Sequence, residues 1–236
     1  MFIIVIVCII AAVSQFRTVM GRPSYWTGKF AAKHACLLLA LRGVQDILTR
    51  HRVVFWLHAG SLLGAQRHGG FIPWDDDVDL AALDGSDLRQ AVEYLRQSEG
   101  VPWSVRDMPF GVKIVLSRDC EVDIFYFYRT PGGDIVPNRR AMEAWPKEWY
   151  RGRSTFPLVT ASFESMTLPV PRDPHDFLSR AYGEKYRTEA RVFHAHVGKK
   201  SSLRDILEAA VLYVTGPVSF STKSLVTAKK HDRLGH

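Results

Sequence analysis

With 236 residues, 47% of them apolar and 23% charged, the chain can bury a sizeable core and is too apolar to be a disordered polymer. A net charge of +7 and a pI near 9.4 favour anionic partners such as phosphates, nucleotides or a membrane surface. The basic residues are interspersed or gathered in the Lys229-Lys230 tail and form no stripe, so nucleic acid is excluded as an expected partner.

Residues 2–13, FIIVIVCIIAAV, are uninterrupted apolar. The run suits a signal h-region and is short for a bilayer span of roughly 20 residues. Residues 1–20 therefore read as a cleaved signal peptide or a short signal-anchor, the two remaining open. Either implies the secretory pathway (ER or Golgi lumen), the cell envelope or secretion, with membrane attachment through the N-terminus in the anchored case. One compact domain is expected over 25–200, followed by a C-terminal helix and basic tail over 201–236. The three cysteines, Cys8, Cys36 and Cys120, make no disulfide scaffold and no Cys-x-x-Cys zinc spacing. Cys36 and Cys120 are expected as two separate buried thiols, a bridge between them being the alternative.

Over residues 29–52, Ala35, Leu38, Leu41 and Val44 recur at three- and four-residue steps and predict an amphipathic helix packed on a sheet. Residues 53–57 predict a short buried strand. A turn at Ala59-Gly60-Ser61 opens a helix through Arg67, and a Gly69-Gly70 turn leads to a second strand entered through Pro73. Gly85-Ser86-Asp87 offers an N-cap for a helix to about Gln97, with Leu88, Val92 and Leu95 buried. Residues 111–117 and 121–128 are rich in β-formers and predict a hairpin. Residues 130–149 read as loop, 156–170 as a second hairpin, 173–183 as a short helix, and 202–215 as a last helix.

Four of the five residues 75–79 are aspartates, a density that repels itself unless a cation sits within it. In Asp77-Val78-Asp79-Leu80 the charges alternate with apolar residues, so a strand would carry both carboxylates on one face, about 6–7 Å apart at Cα. Oxygen ligands at that spacing suit Mg²⁺ or Mn²⁺. Asp123, in the apolar run EVDIFYFY, is costly to bury unless paired or ligated and is the natural third ligand. A calcium loop starting at Asp75 fails, because its sixth position is Leu80 in place of Gly and its twelfth is Ser86 in place of Glu. Gly60 and Ser61, at a helix N-terminus, are expected to meet a phosphate through backbone N–H groups. Arg67 and Lys113 are candidates for phosphate oxygens, and Asp123 also for accepting an acceptor hydroxyl proton. Trp103, Trp145 and Trp149 suit either core packing or stacking on a base or sugar. His194 and His196 lack a third partner for zinc.

The run HAGSLLGAQRHGGFIPWDDDVDL, with its Gly-Ser-Leu-Leu-Gly, Arg-His and Ile-Pro-Trp-Asp-x-Asp-x-Asp elements in order, resembles the LicD family of phosphotransferases in the nucleotidyltransferase superfamily. Val122-Asp123-Ile124-Phe125 resembles that family's second acidic strand, and Ala181-Tyr182-Gly183 is a weaker echo. The resemblance implies a nucleotidyltransferase-like α/β (α+β) fold, a mixed β-sheet flanked by helices in a single domain. It implies an enzyme that transfers a phosphorylated alcohol, such as phosphocholine or ribitol phosphate, from a CDP-activated donor to a glycan. By the family pattern Asp77, Asp79 and Asp123 are metal ligands and catalytic residues, and Gly60-Ser61 is the phosphate loop. A nucleotidyltransferase, or a catalytically silent glycan-binding or scaffold protein on the same fold, are the alternatives.

Overall fold

The computed structural model describes residues 23–72, 75–97, 103–117 and 120–187, with side chains from residue 32 onward. The expected leader over 1–20, the helix over 202–215, the tail, Pro73-Trp74 and His194/His196 lie outside the described residues. Among those described, no helix is long and apolar enough to cross a membrane.

The expected long helix is α1, Pro23–Arg50, which buries Leu37, Leu41, Val44 and Leu48 completely. It is followed by β1 (Phe55–Leu57), α2 (Ala59–His68), β2 (Val78–Leu83) and α3 (Ser86–Gln97). Next come β3 (Ser104–Met108), β4 (Gly111–Ser117), β5 (Cys120–Arg129), β6 (Ile135–Pro137) and α4 (Arg139–Ala144). Then follow α5 (Gly152–Thr155), β7 (Val159–Phe163), β8 (Met166–Val170) and α6 (Pro174–Tyr182). The main sheet has the order β1-β2-β5-β4-β3, with β6 pairing to β5, and β7-β8 form a separate hairpin. It is mixed: β2 and β5 run parallel and the other pairs antiparallel. A parallel pair needs a crossover, and here α3, β3 and β4 lie between the two strands in sequence.

The predicted hairpins over 111–128 and 156–170 are both present. The reading of 130–149 as loop is incomplete, because it contains β6 and α4, whose N-cap Asn138 accepts a hydrogen bond from the Ala141 N–H. Strand β3 had no apolar alternation to announce it. Its sequence SVRDM is largely exposed and gains its strand state from antiparallel pairing with β4.

Alternation along β5 decides where the site lies. Cys120, Val122, Ile124 and Tyr126 share one face, while Glu121, Asp123, Phe125 and Phe127 share the other. Cys36 of α1 and Cys120 form a disulfide, with Cα atoms 6.0 Å apart, which fastens α1 to the first of these faces. This corrects the expectation of two separate thiols. Spacing in sequence could not show that a helix residue and a strand residue 84 positions apart would meet.

The second face carries a row of polar groups in register. Asp79 of β2 stands beside Asp123 of β5, Asp123 beside Lys113 of β4, and Lys113 beside Arg106 of β3. Gly64, inside α2, explains how the next segment reaches this row. A Cβ there would stand 2.4 Å from the carbonyl oxygen of Gly70, so only glycine lets the backbone after α2 lie directly on the helix.

Because the bridge closes a long loop, replacing both cysteines (C36S/C120S) is expected to cost about 2–5 kcal/mol of unfolding free energy. Urea unfolding of the oxidised chain against the double variant checks this; equal midpoints and slopes would contradict it.

Candidate active site

The sheet ends in a tight corner that builds the site. After β1, His58 is extended at φ −120° and ψ 165°, and its backbone N–H donates to the Asp79 carbonyl at 3.0 Å. Ala59 then takes a left-handed φ of 40°, a conformation costly for a residue with a Cβ, and turns the chain into α2. Gly60 follows in the first turn. A Cβ on it would lie 3.3 Å from Asp75 Oδ2 and 3.7 Å from Asp79 Oδ2, so the position directly overlooks the acidic groups. Ser61 is 1% exposed, and its Oγ accepts the Asp79 N–H at 2.9 Å. The expected phosphate-loop serine thus has its side chain turned to the sheet, where it pins the start of β2.

Asp77, Asp79 and Asp123 each present a carboxylate oxygen, and these oxygens lie within 4.8 Å of one another. Asp77 precedes β2 instead of belonging to it, yet its carboxylate still joins the other two. Asp75, Asp76 and Asp77 form a second group of the same tightness. Asp75 Oδ2 is buried and makes no hydrogen bond, and the buried Asp123 Oδ1 has the Lys113 ammonium beside it at 3.1 Å. Crowding shows in the protonation equilibria. Asp79 is raised well above the usual carboxylate range by desolvation first and then by the charges of Asp77 and Asp123. Desolvation and then Asp77 do the same to Asp75. Desolvation lifts Asp123 to about 7 even against the opposing pull of Lys113.

Lys113 Nζ lies 3.1 Å from Asp123 Oδ1 and 2.6 Å from Glu121 Oε2. Burial disfavours its charge, but Glu121 and Asp123 together hold the ammonium above its ordinary range. The residue expected to bind phosphate is therefore engaged with two carboxylates. Asp123 belongs both to an ion pair and to the three-carboxylate cluster. One ammonium shared in this way leaves the group strongly anionic. All-oxygen donors, crowded within 4.8 Å of one another and joined by the unpartnered Asp75 Oδ2, fit a hard divalent cation such as Mg²⁺ or Mn²⁺. Asp77, Asp79 and Asp123 are the residues that would hold it.

The acidic segment is braced from three elements. His34 of α1 stacks on Phe71 at 4.2 Å, and its Nε2 lies 3.0 Å from the Asp75 carbonyl. Lys33 approaches Asp76 at 3.7 Å. Glu164, at the β7-β8 turn, accepts the Phe71 N–H at 3.0 Å through Oε1. Arg67, by contrast, is seven residues beyond Gly60, about 10 Å along the helix axis. Its charge acts on the neighbouring His68, which is lowered to about 4 by burial first and then by Arg67. Trp145 packs edge-on against Phe110 and Phe125, and the Trp103 indole N–H donates to the Leu95 carbonyl, both core roles. Trp149 lies under the guanidinium of Arg180, 4.0 Å from the ring centroid.

Four further residues belong to this centre. Asp75 was visible within the acidic run. His58 stands in the quoted motif and Tyr182 in the short echo, but neither had a readable role. Nothing local marks Glu148. Tyr182 is pushed well above its ordinary range by burial first and then by the charges of Glu148, Asp79 and Asp75.

A mixed sheet bearing clustered aspartates beside a Gly-Ser helix start defines a nucleotidyltransferase-type domain. The chain belongs to the LicD/FKTN/FKRP nucleotidyltransferase-domain family, whose model matches residues 52–173. The human ribitol 5-phosphate transferase FKRP is 31% identical over 193 residues, covering 71% of this chain and 36% of that protein. The lipopolysaccharide cholinephosphotransferase LicD of Haemophilus influenzae is 55% identical over 31 residues, covering 13% of this chain and 12% of its own. Among solved structures, a lincosamide antibiotic adenylyltransferase, LnuA, aligns at 14% identity and a TM-score of 0.38, covering 74% of this chain and 95% of its own. The chain spans about half the length of the first curated relatives it matches.

The shift of Asp123 gives a pH prediction with a definite sign. Its carboxyl has an ordinary value of 3.8 and reaches about 7 when folded. Between those values the folded chain holds a proton that the unfolded chain has lost, so stability falls as pH rises through this window. The metal-free chain is therefore expected to melt higher at pH 5 than at pH 8. Mg²⁺ or Mn²⁺ should raise the midpoint more at pH 8, where the carboxylates are ionised. Differential scanning fluorimetry in EDTA and in excess metal measures both.

Proposed function

We propose that this chain is a metal-dependent phosphotransferase that moves a phosphorylated alcohol, of the phosphocholine or ribitol phosphate type, from a CDP-activated donor onto a glycan. The observation that carries the reading is the convergence of Asp77, Asp79 and Asp123 beside the Gly60 helix start, in a chain of this family. The names of two relatives, a ribitol 5-phosphate transferase and a cholinephosphotransferase, support the class of group transferred. A silent binding module has no use for convergent carboxylates that repel one another, which favours an enzyme over a scaffold.

Each residue has a part that follows from its position. Asp77, Asp79 and Asp123 would hold the divalent cation, which would supply charge neutralisation at the donor diphosphate. Ser61 and the His58 backbone fix Asp79 from both sides, so the carboxylate does not have to be reorganised for each turnover. At Gly60 a Cβ would crowd Asp75 Oδ2 at 3.3 Å, so only glycine keeps the backbone of the first turn of α2 bare for a phosphate. Lys113 offsets part of the charge and keeps Asp123 oriented. The Cys36–Cys120 bridge supports an oxidising compartment such as the secretory lumen or the cell envelope, in keeping with the apolar leader.

Incubating the purified chain with CDP-choline, CDP-ribitol and related CDP-alcohols, with Mg²⁺ or Mn²⁺, should release CMP. D77N and D79N are each expected to lower that release by at least about 100-fold, as loss of the charge stabilising the transition state requires. Their metal-free melting points should stay level or rise. Wild-type turnover in either variant would remove that residue from the centre.

A further inference from the structure

The carboxylate centre leaves Tyr150, His58 and Glu148 unused. His58 is 1% exposed and boxed by aromatic rings, with Phe125 at 4.9 Å and Phe127 at 5.1 Å between centroids. Both ring nitrogens of a buried imidazole need partners. Nδ1 is 2.7 Å from the Tyr150 hydroxyl. Nε2 is buried, makes no hydrogen bond, and lies 3.3 Å from Oε2 of Glu148. Because the His58 backbone is tied to Asp79, this side chain links the metal-binding strand to Glu148.

Glu148 lies in a connecting segment, yet it is held firmly. Arg180 of α6 donates from Nε to the Lys147 carbonyl at 3.3 Å and from its terminal nitrogen to the Trp149 carbonyl, gripping the backbone on both sides. The Glu148 N–H donates to the Trp145 carbonyl at 3.0 Å. Its side chain keeps 19% exposure, so it is open to a ligand. Its carboxylate stands beside His58, whose backbone N–H donates to the Asp79 carbonyl at 3.0 Å, so it sits one residue away from the strand that carries the centre.

We infer that Glu148 takes the proton of the acceptor hydroxyl, and that Tyr150 and His58 are positioning residues that aim its carboxylate. The inference rests on the transferase reading above. In the step, the acceptor O–H bond breaks as its oxygen bonds to the phosphorus of the transferred phosphoalcohol. The P–O bond to the nucleotide breaks, CMP leaves with that electron pair, and the proton comes to rest on Glu148. Asp123 is the poorer candidate, because Lys113 and the metal-binding cluster already engage it. Direction within the chain of contacts is also fixed. A carboxylate oxygen can only accept, so Glu148 sets the imidazole proton on Nε2, facing it, and leaves Nδ1 to accept from the Tyr150 hydroxyl. One carboxylate oxygen then faces the ring N–H at 3.3 Å and the other is left for the acceptor.

The full chain tests this with CDP-choline and CDP-ribitol in Mg²⁺, water serving as the acceptor and CMP release as the readout. E148Q is expected to lower kcat by about 100-fold or more, the usual yield of a positioned base, with the Kd for the CDP-alcohol unchanged within about twofold. Formate should restore part of the turnover of E148A, a rescue that a merely structural residue would not allow. Y150F should lower kcat by a smaller factor at unchanged Kd. Near wild-type kcat in E148Q, or a fall in donor affinity that accounts for its whole loss, would overturn the assignment. A second readout needs no turnover: ¹⁵N spectra of the histidine rings should show His58 protonated at Nε2, with that resonance moving in E148Q. A proton on Nδ1 would overturn the positioning chain. Failure of the wild-type chain to use any CDP-alcohol would instead overturn the transferase reading, and the ring spectra would still decide the positioning chain.

Discussion

Mutual repulsion among half-buried carboxylates is the constraint on which the rest of this structure depends. Desolvated aspartates within 4.8 Å of each other favour opening of the chain at neutral pH, so the fold has to hold them by other means. It does so with rigid parts. The parallel register of β2 and β5 sets Asp79 beside Asp123, and the two neighbouring strands extend the row to His58 on one side and Lys113 on the other. Destabilisation at the site is offset by a core of aromatic and aliphatic side chains on both faces of the sheet.

Bracing of the acidic segment follows the same logic. The segment after α2 would be free to swing away from its own charge if it were an ordinary surface loop. Instead Gly64 lets it lie on α2, Glu164 captures its Phe71 N–H, and His34 of α1 stacks on that phenylalanine and reaches the Asp75 carbonyl. These contacts come from elements far apart in sequence. The disulfide to Cys120 keeps α1 in place three residues before Asp123, so the helix bracing Asp75 and the strand carrying Asp123 are covalently joined.

In the proposed enzyme Lys113 and a divalent cation would have complementary parts. A lysine alone cannot neutralise this group, since it is shared with Glu121. Yet without it Asp123 would be buried with no cation beside it whenever the metal is absent, which is costly. The ammonium lowers the cost of burying Asp123 and leaves the negative charge that the proposed metal site requires.

Much of this was legible in the chain itself. The acidic run, the glycines around it and the apolar alternation of residues 111–128 named Asp77, Asp79, Asp123, Gly60 and a hairpin, because these signals depend on neighbours a few residues apart; the mixed sheet came only with the family resemblance. Contacts across the fold were not legible. Cys36 and Cys120 looked like separate thiols because a bridge depends on where a helix and a strand come to rest. Strand β3 existed only through its partner, and Ser61 and Lys113 found backbone and carboxylate partners that no local pattern announced. Glu148 shows the limit most plainly: an ordinary charged residue in a Trp-rich connection, it meets His58 only after the long intervening chain has folded back. The local chemistry of the site was written in the order of residues. Its preorganisation was decided by tertiary packing, because the groups that hold each functional side chain come from distant segments.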